Sequence, residues 1–146
     1  MARCYFLCAS RGSSLDQHSN NVSLFNLVEQ ISVPPGMAAA RGGVIPIEVH
    51  AYFQLGADEL NRQFELRLVL HAESGLDTLS DPLRHRSQTP RLRVRIMGLP
   101  FPPVPGAYTL GIDFRLVGED VGAWQRQSVG WPITLVEIDS RPRVTH

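Results

Sequence analysis

The chain has 146 residues, of which 43% are hydrophobic and 19% charged; this is the size of one domain and too apolar for disorder. No apolar run approaches the roughly 20 residues of a membrane-spanning helix. Fourteen Lys+Arg residues balance fourteen Asp+Glu, so net charge draws the chain to neither nucleic acid nor anionic lipid, and any electrostatic partner has to be read locally. All the basic residues are arginine, which fits the codon usage of a GC-rich bacterial genome.

At the N-terminus, MARCYFLCASRG carries a faint echo of a secretory signal. Its apolar run CYFLCA is about six residues against the roughly 7–15 of a signal's apolar region, and Arg11 follows at once. The chain therefore reads as mature from its start and cytoplasmic, and the sequon Asn21-Val22-Ser23 as accidental. Arg3–Ala9 is expected as the first strand, with Cys4 and Cys8 on one face roughly 13 Å apart. That separation is too long for a disulfide, so two buried reduced thiols are expected.

Polar turn material at Asp16–Asn21 ends this strand. Val22–Ile31 is predicted as one strand, closed by Pro34-Pro35-Gly36, although its apolar spacing also fits a short helix. In VIPIEVHAYFQ the alternation is clean: Ile45, Ile47, Val49, Ala51 and Phe53 face inward, Pro46, Glu48, His50, Tyr52 and Gln54 outward. Because Pro46 cannot donate to a ladder, an edge or strand start is expected there. A short helical turn near 57–62 leads to FELRLVLH, with Phe64, Leu66, Leu68 and Leu70 inward, forming a hairpin or a cross-sheet pair with the preceding strand. Ala72–Pro90 shows no period, about 19 residues, long for a connection inside a domain. RLRVRIM then alternates again, with Leu92, Val94 and Ile96 inward and Arg91, Arg93 and Arg95 outward.

The segment GLPFPPVPGAYTLGIDFRL crowds prolines and glycines against an alternating run. Pro102, Pro103 and Pro105 suit an extended crossover that needs few backbone donors, Gly106 a turn, and Tyr108 the return to a sheet with its ring inward. Tyr108, Leu110, Ile112, Phe114 and Leu116 share that strand's inner face. Gly118-Glu119-Asp120 is a turn, Trp131–Ile138 the last strand with Trp131 in the core, and 139–146 a tail expected to fray. Residues 1–146 thus form a single domain. The fold expected is all-β: an antiparallel β-sandwich, immunoglobulin-like or C2-like, of about seven to eight strands.

In the order of these pieces, from the opening strand through SLFNLVEQISVP and VIPIEVHAYFQ to PFPPVPGAYTLGIDF, the chain resembles small uncharacterised bacterial proteins of about this length. The resemblance spans Arg3 to Ile138. It implies a cytosolic β-sandwich and carries no site residues, since its motifs contain no catalytic signature.

Chemistry is sparsely signalled. His18, His50, His71, His85 and His146 are scattered, with no HExxH and no paired CxxC, so neither a metal nor a cofactor is expected. Asp77, Asp81 and His85 recur at every fourth residue, but Pro82 would disturb a helix bringing them together. Acidic turns at Asp58-Glu59 and Glu119-Asp120 lack the dense spacing of calcium loops. Without GxSxG, P-loop or GxGxxG, no catalytic residue is assigned and the chain is read as non-enzymatic.

One local feature stands out, RHRSQTPRLRVR. On a strand, Arg91, Arg93 and Arg95 recur at roughly 6.6 Å, near the spacing of successive phosphates. No aromatic residue flanks the row for base stacking. Pairing with Glu48, Glu65 or Asp113 on neighbouring strands is the alternative. The candidate interaction surface is Arg84, Arg86, Arg91, Arg93 and Arg95, with Trp124. The primary expectation is a module that binds a protein partner or self-associates through a sheet face or edge. A nucleic-acid or anionic-ligand binder using the Arg84–Arg95 strip and a structural component of a phage or similar particle are the alternatives; no membrane role is expected.

Overall fold

A computed structural model describes residues 1–34, 43–118 and 122–138. The Pro35-Gly36 stop, the turn at Glu119-Asp120 and the tail 139–146 lie outside the described residues. The chain folds as two packed β-sheets. One has four strands in the order β2-β1-β4-β8, with β1 at Arg3–Leu15, β2 at Val22–Leu27, β4 at Val44–Gln54 and β8 at Arg91–Pro100. The other has seven, in the order β3-β11-β9-β5-β6, from β3 (Gln30–Val33), β11 (Trp131–Glu137), β9 (Gly106–Leu116), β5 (Gln63–Ala72) and β6 (Asp77–Leu79). Two further short strands lie off that path: β7 (Leu83–Arg86) pairs with β5, and β10 (Gln125–Arg126) with β9.

This is the sandwich that alternation predicts, and its core comes from the inward sets. Ile47, Val49 and Phe53 of β4 meet Phe64, Leu66 and Leu70 of β5 and Leu110, Ile112 and Phe114 of β9, all with at most 2% exposure. Phe64 stacks on Phe114 at 5.1 Å between ring centroids. Large apolar side chains alternating on two facing sheets bury most of their surface at once, which is the main stabilising term of such a fold. β4 and β5 belong to different sheets, joined by the 3-10 turn Ala57–Glu59.

Several expectations are corrected. Strand pairing is antiparallel except between β3 and β11, which run parallel from Gln30↔Thr134 to Val33↔Glu137. The predicted single strand Val22–Ile31 is two. Asn26 takes a positive φ of 53°, and the chain passes from β2 in one sheet to β3 in the other across Val28, whose N–H still donates to Ala9 O. Asparagine adopts that conformation more readily than most residues, so the switch falls where the sequence permits it.

Pro46 is in an interior strand, flanked by β1 and β8. A bulge accommodates it: Ile45 pairs with Leu99 and Glu48 with Met97, so Pro46 and Ile47 face the single residue Gly98. Prolines inside sheets are tolerated at such irregularities because a ladder bond is already missing. Another bulge, between Cys4 and Phe6, shifts the phase of β1. Cys4 therefore joins the core cluster with Leu7 and Ala9, while Cys8 takes the opposite face, and the two cysteines do not share a side. Both are free and buried.

Ala72–Pro90 is ordered and accounts for part of the excess over seven to eight strands. A turn at Gly75 (φ 91°) returns β6 along β5. Ser80-Asp81-Pro82 interrupts the edge, and β7 resumes it. Strands this short leave no readable period. The proline corner behaves as expected: residues 101–105 carry the chain from β8 to β9, Gly106 has φ 144°, and the buried Tyr108 donates its hydroxyl hydrogen bond to Val104 O. Trp131 packs half-buried against the core, its indole N–H donating to Val28 O at 2.7 Å.

Candidate functional site

The outer face of the seven-stranded sheet is a closed charge network. Adjacent strands place Arg84, Glu65 and Arg115 in one row and Arg67, Asp113 and Arg126 in the next. The Arg67 and Arg126 Nε groups donate to the two oxygens of Asp113 at 2.8 and 2.6 Å, and that carboxylate is almost wholly buried. Arg126 also donates to Asp77, which holds His71 Nδ1 at 2.6 Å. Arg115 donates to Glu65 at 2.8 Å, with Arg84 at 3.8 Å from the same carboxylate. Trp124 lies across this face with the Arg67 and Arg115 guanidiniums 4.3 and 4.1 Å from its ring centre. Cations at that distance are held by the ring's negative face. Four guanidiniums thus share three carboxylates, each guanidinium within 3.8 Å of at least one.

Across the molecule, the outer face of the four-stranded sheet is differently built. Register places Phe6, Tyr52 and Arg93 in one row, Cys8, His50 and Arg95 in a second, and Ser10, Glu48 and Met97 in a third. Glu48 and His50, expected on the outer face, are buried, and so is Ser10 beside them. Alternation correctly assigns the face of Glu48 and His50 but carries no information about what covers it. The β1–β2 hairpin does so in part: Arg93 Nη1 donates to Asn20 O in its tip at 2.9 Å, and a cavity of about 430 Å3 lies between hairpin and sheet. Its lining includes Ser13, Leu15, Val22, His50, Tyr52, Arg93 and Arg95.

Serine, histidine and glutamate here suggest a nucleophilic triad, but the geometry opposes one. His50 Nε2 is 3.0 Å from Ser10 Oγ and 3.2 Å from Glu48 Oε2, so both partners meet the same ring nitrogen. An ionised carboxylate only accepts, so Nε2 carries the proton toward Glu48. Ser10 in turn donates to Gly12 O at 3.1 Å. The imidazole thus has no acceptor lone pair aimed at the serine, as a general base needs. Burial holds the His50 pKa below its ordinary value; Glu48 opposes this shift and Arg95 reinforces it. Sequence reading missed this cluster, whose one signal was a Glu-x-His pair within an alternating strand.

The arginine strip does not form one surface. Arg84 and Arg86 are on β7 of the seven-stranded sheet, whereas Arg91, Arg93 and Arg95 are on β8 of the other. Arg91, Arg93 and Arg95 are exposed in the predicted row. Arg95 lies 3.7 Å from Glu48, while Arg86 and Arg91 have no acidic partner among the described residues. Contrary to expectation, aromatic side chains do flank the row: Tyr52 is paired with Arg93 in register and packs on Phe6 and Tyr5 at 5.0 and 6.2 Å.

β8 pairs with β4 along one edge, and among the described residues its other edge has no strand partner. Beside it runs a groove of about 530 Å3 between the two sheets, lined by Val44, Leu79, Leu83, Met97 and polar residues including Asp81 and His85. Val44 and Met97 are 65% and 66% exposed, Leu79 44% and Leu83 38%, an apolar patch on an otherwise polar rim. Among the described residues no three His, Cys, Asp or Glu side chains are grouped to hold a metal ion, and no helix is long and apolar enough to cross a membrane. No protein-family model, curated protein or solved structure matches the chain.

Proposed function

We propose that this small all-β domain is a non-enzymatic interaction module that binds an extended, acidic segment of a partner protein along the free edge of β8. The observation that carries the reading is the coincidence of three features on one strand. These are a ladder edge without a strand partner among the described residues, a groove with an apolar patch beside it and a row of three exposed arginines. An added strand would satisfy the free backbone groups, place alternate apolar residues against Leu79, Leu83 and Met97, and set acidic residues opposite the arginines. Self-association through the same edge is disfavoured, because antiparallel pairing of β8 with a second β8 sets the arginine rows against each other. The free buried thiols of Cys4 and Cys8 support a reducing, cytoplasmic setting.

Short synthetic peptides alternating valine with either glutamate or lysine test the proposal by amide chemical-shift titration of the 15N-labelled protein. The glutamate peptide is expected to shift β8 and Leu79–Leu83, to weaken in salt, and to lose binding in Leu83→Asp. Equal binding of both peptides, or of neither, overturns it.

A second reading is favoured by Tyr5, Phe6 and Tyr52 beside Arg93: single-stranded nucleic acid lying across the outer face, its bases on the rings and its phosphates on the arginines. Salt-sensitive shifts of Tyr52 and Arg93 amides with an oligonucleotide, without response to the acidic peptide, would favour it.

A further inference from the structure

Beneath the β1–β2 hairpin, the cavity of about 430 Å3 has a composition unlike the groove. Its floor is the outer face of β4 and β8, where His50 and Tyr52 pair in register with Arg95 and Arg93. Its walls are the hairpin residues Ser13, Ser14, Leu15 and Val22. Arg93 spends one N–H on Asn20 O, and the guanidinium has five, so most of its donors stay available. Arg95 is 3.7 Å from Glu48, beyond hydrogen-bond distance, and its side chain is 59% exposed. Arg93 is thus held in place with donors to spare and Arg95 keeps its donors free, while Leu15, Val22 and Tyr52 supply apolar wall.

The charge of the site selects its ligand. Arg93 and Arg95 contribute two positive charges, Glu48 one negative charge beneath them, and His50 is neutral when its proton serves Glu48 through Nε2. The balance is one positive charge, which a monoanion matches and a phosphate dianion exceeds. A carboxylate also fits the planar fork of arginine in a way a compact charge does not.

We infer that this cavity is a binding site for a small carboxylate with an apolar body, its headgroup held by Arg93 and Arg95 and its body lying between Tyr52 and the hairpin residues Leu15 and Val22. The site shares Arg93 and Arg95 with the proposed peptide surface, but its hairpin walls do not line the β8 groove, and it does not depend on a protein partner. Arg95 borders both, so the test relies on hairpin residues that line only the cavity.

Octanoate is the probe, with octanamide as its neutral counterpart and inorganic phosphate as the bare anion, each titrated into the 15N-labelled protein. Octanoate is expected to move the amides of Ser13, Ser14, Val22, Tyr52 and Arg93 saturably. Octanamide should bind about tenfold more weakly, the scale of one charged hydrogen-bonding interaction. Arg93→Gln, which lines the cavity and not the groove, should weaken octanoate by a similar factor, and Leu15→Glu, an exposed wall position, should abolish binding while leaving the dispersion of core amides intact. Shifts confined to Val44, Leu79, Leu83 and Met97 would place the ligand in the groove and overturn the assignment. So would equal affinity for octanoate and octanamide, or phosphate binding as tight as octanoate. Because these readouts separate hairpin from groove, failure here leaves the peptide-binding result standing, and the reverse.

Discussion

His50 shows how a single buried side chain ties the sheet face to pH. Its neighbours are Ser10, Cys8, Glu48 and Arg95, and burial outweighs the attraction of Glu48 to keep its pKa low. The unfolded imidazole titrates at about 6.5. Below that value the unfolded chain takes up a proton that the native ring refuses, so the unfolded state gains relative to the native one as pH falls. The stability associated with a neutral His50 is complete above about pH 6.5 and is lost as pH drops through the lowered native value. Thermal unfolding should therefore show a larger loss between about pH 7.5 and about pH 5.5 in the native sequence than in His50→Gln. Identical losses in the two proteins would contradict the buried, neutral ring. Asp77 does not confuse the window: its carboxyl is lowered first by the His71 hydrogen bond and then by Arg126, so its contribution is lost only at more acid pH. What the sequence left unread at this scale was cover. Period-two alternation placed Glu48 and His50 on the outer face correctly, but the hairpin that arches over them comes from residues 13–22, and nothing local to β4 announces it.

At the scale of the strand, phase breaks decide which side chains meet. Long alternating runs made β4, β5, β8 and β9 legible, because each shows several successive inward apolar residues. The breaks were not, because one extra residue leaves no periodic mark, and a lone proline or glycine marks a turn or an edge as readily as a bulge. The Cys4/Phe6 bulge is one case, and the pairing of Pro46-Ile47 with Gly98 another. Strands of two to four residues, such as β10 and β7, are too short to carry a period at all. Gly98 offers a direct test. Its φ is 96°, and a Cβ there would lie 3.4 Å from Val44 Cβ. A positive φ costs an L-residue about 1–2 kcal/mol, so Gly98→Ala should lower the urea-derived stability by about that amount with an unchanged m-value. Gly12→Ala in β1 is the control. Its Cβ would make an ordinary 3.9 Å contact with Phe25 and no strained φ is involved, so the outcome there is neutral or stabilising by up to about 1 kcal/mol. Equal destabilisation at both positions would mean that the β4–β8 bulge does not require glycine.

For the molecule as a whole, the two cysteines report on different ways of coming apart. Cys4 is in the core cluster between the sheets, and its amide donates to Gln127 Oε1, so reaching its thiol requires the sandwich to open. Cys8 is equally buried but faces the other side of the same strand, beside His50 and outside that cluster. Exposing it requires only movement of what overlies the outer face. Burial pushes the Cys8 thiol up to about 11 and raises Cys4 as well. At pH 8 only about one buried Cys8 thiol in a thousand is thiolate, so attack on the native state is slow and labelling follows opening. Local opening costs less free energy than separating the sheets. Single-cysteine proteins made by Cys4→Ser or Cys8→Ser, treated with a thiol-reactive disulfide in low denaturant, should therefore differ. The chain retaining Cys8 labels faster and with weak dependence on urea, whereas the chain retaining Cys4 labels at the rate of global unfolding and with its full urea dependence. If both thiols react together with the same urea dependence, the hairpin side and the core open as one unit. If Cys4 reacts first, the bulge does not turn the two side chains to opposite faces, and the register of β1 against β4 is different from the one described.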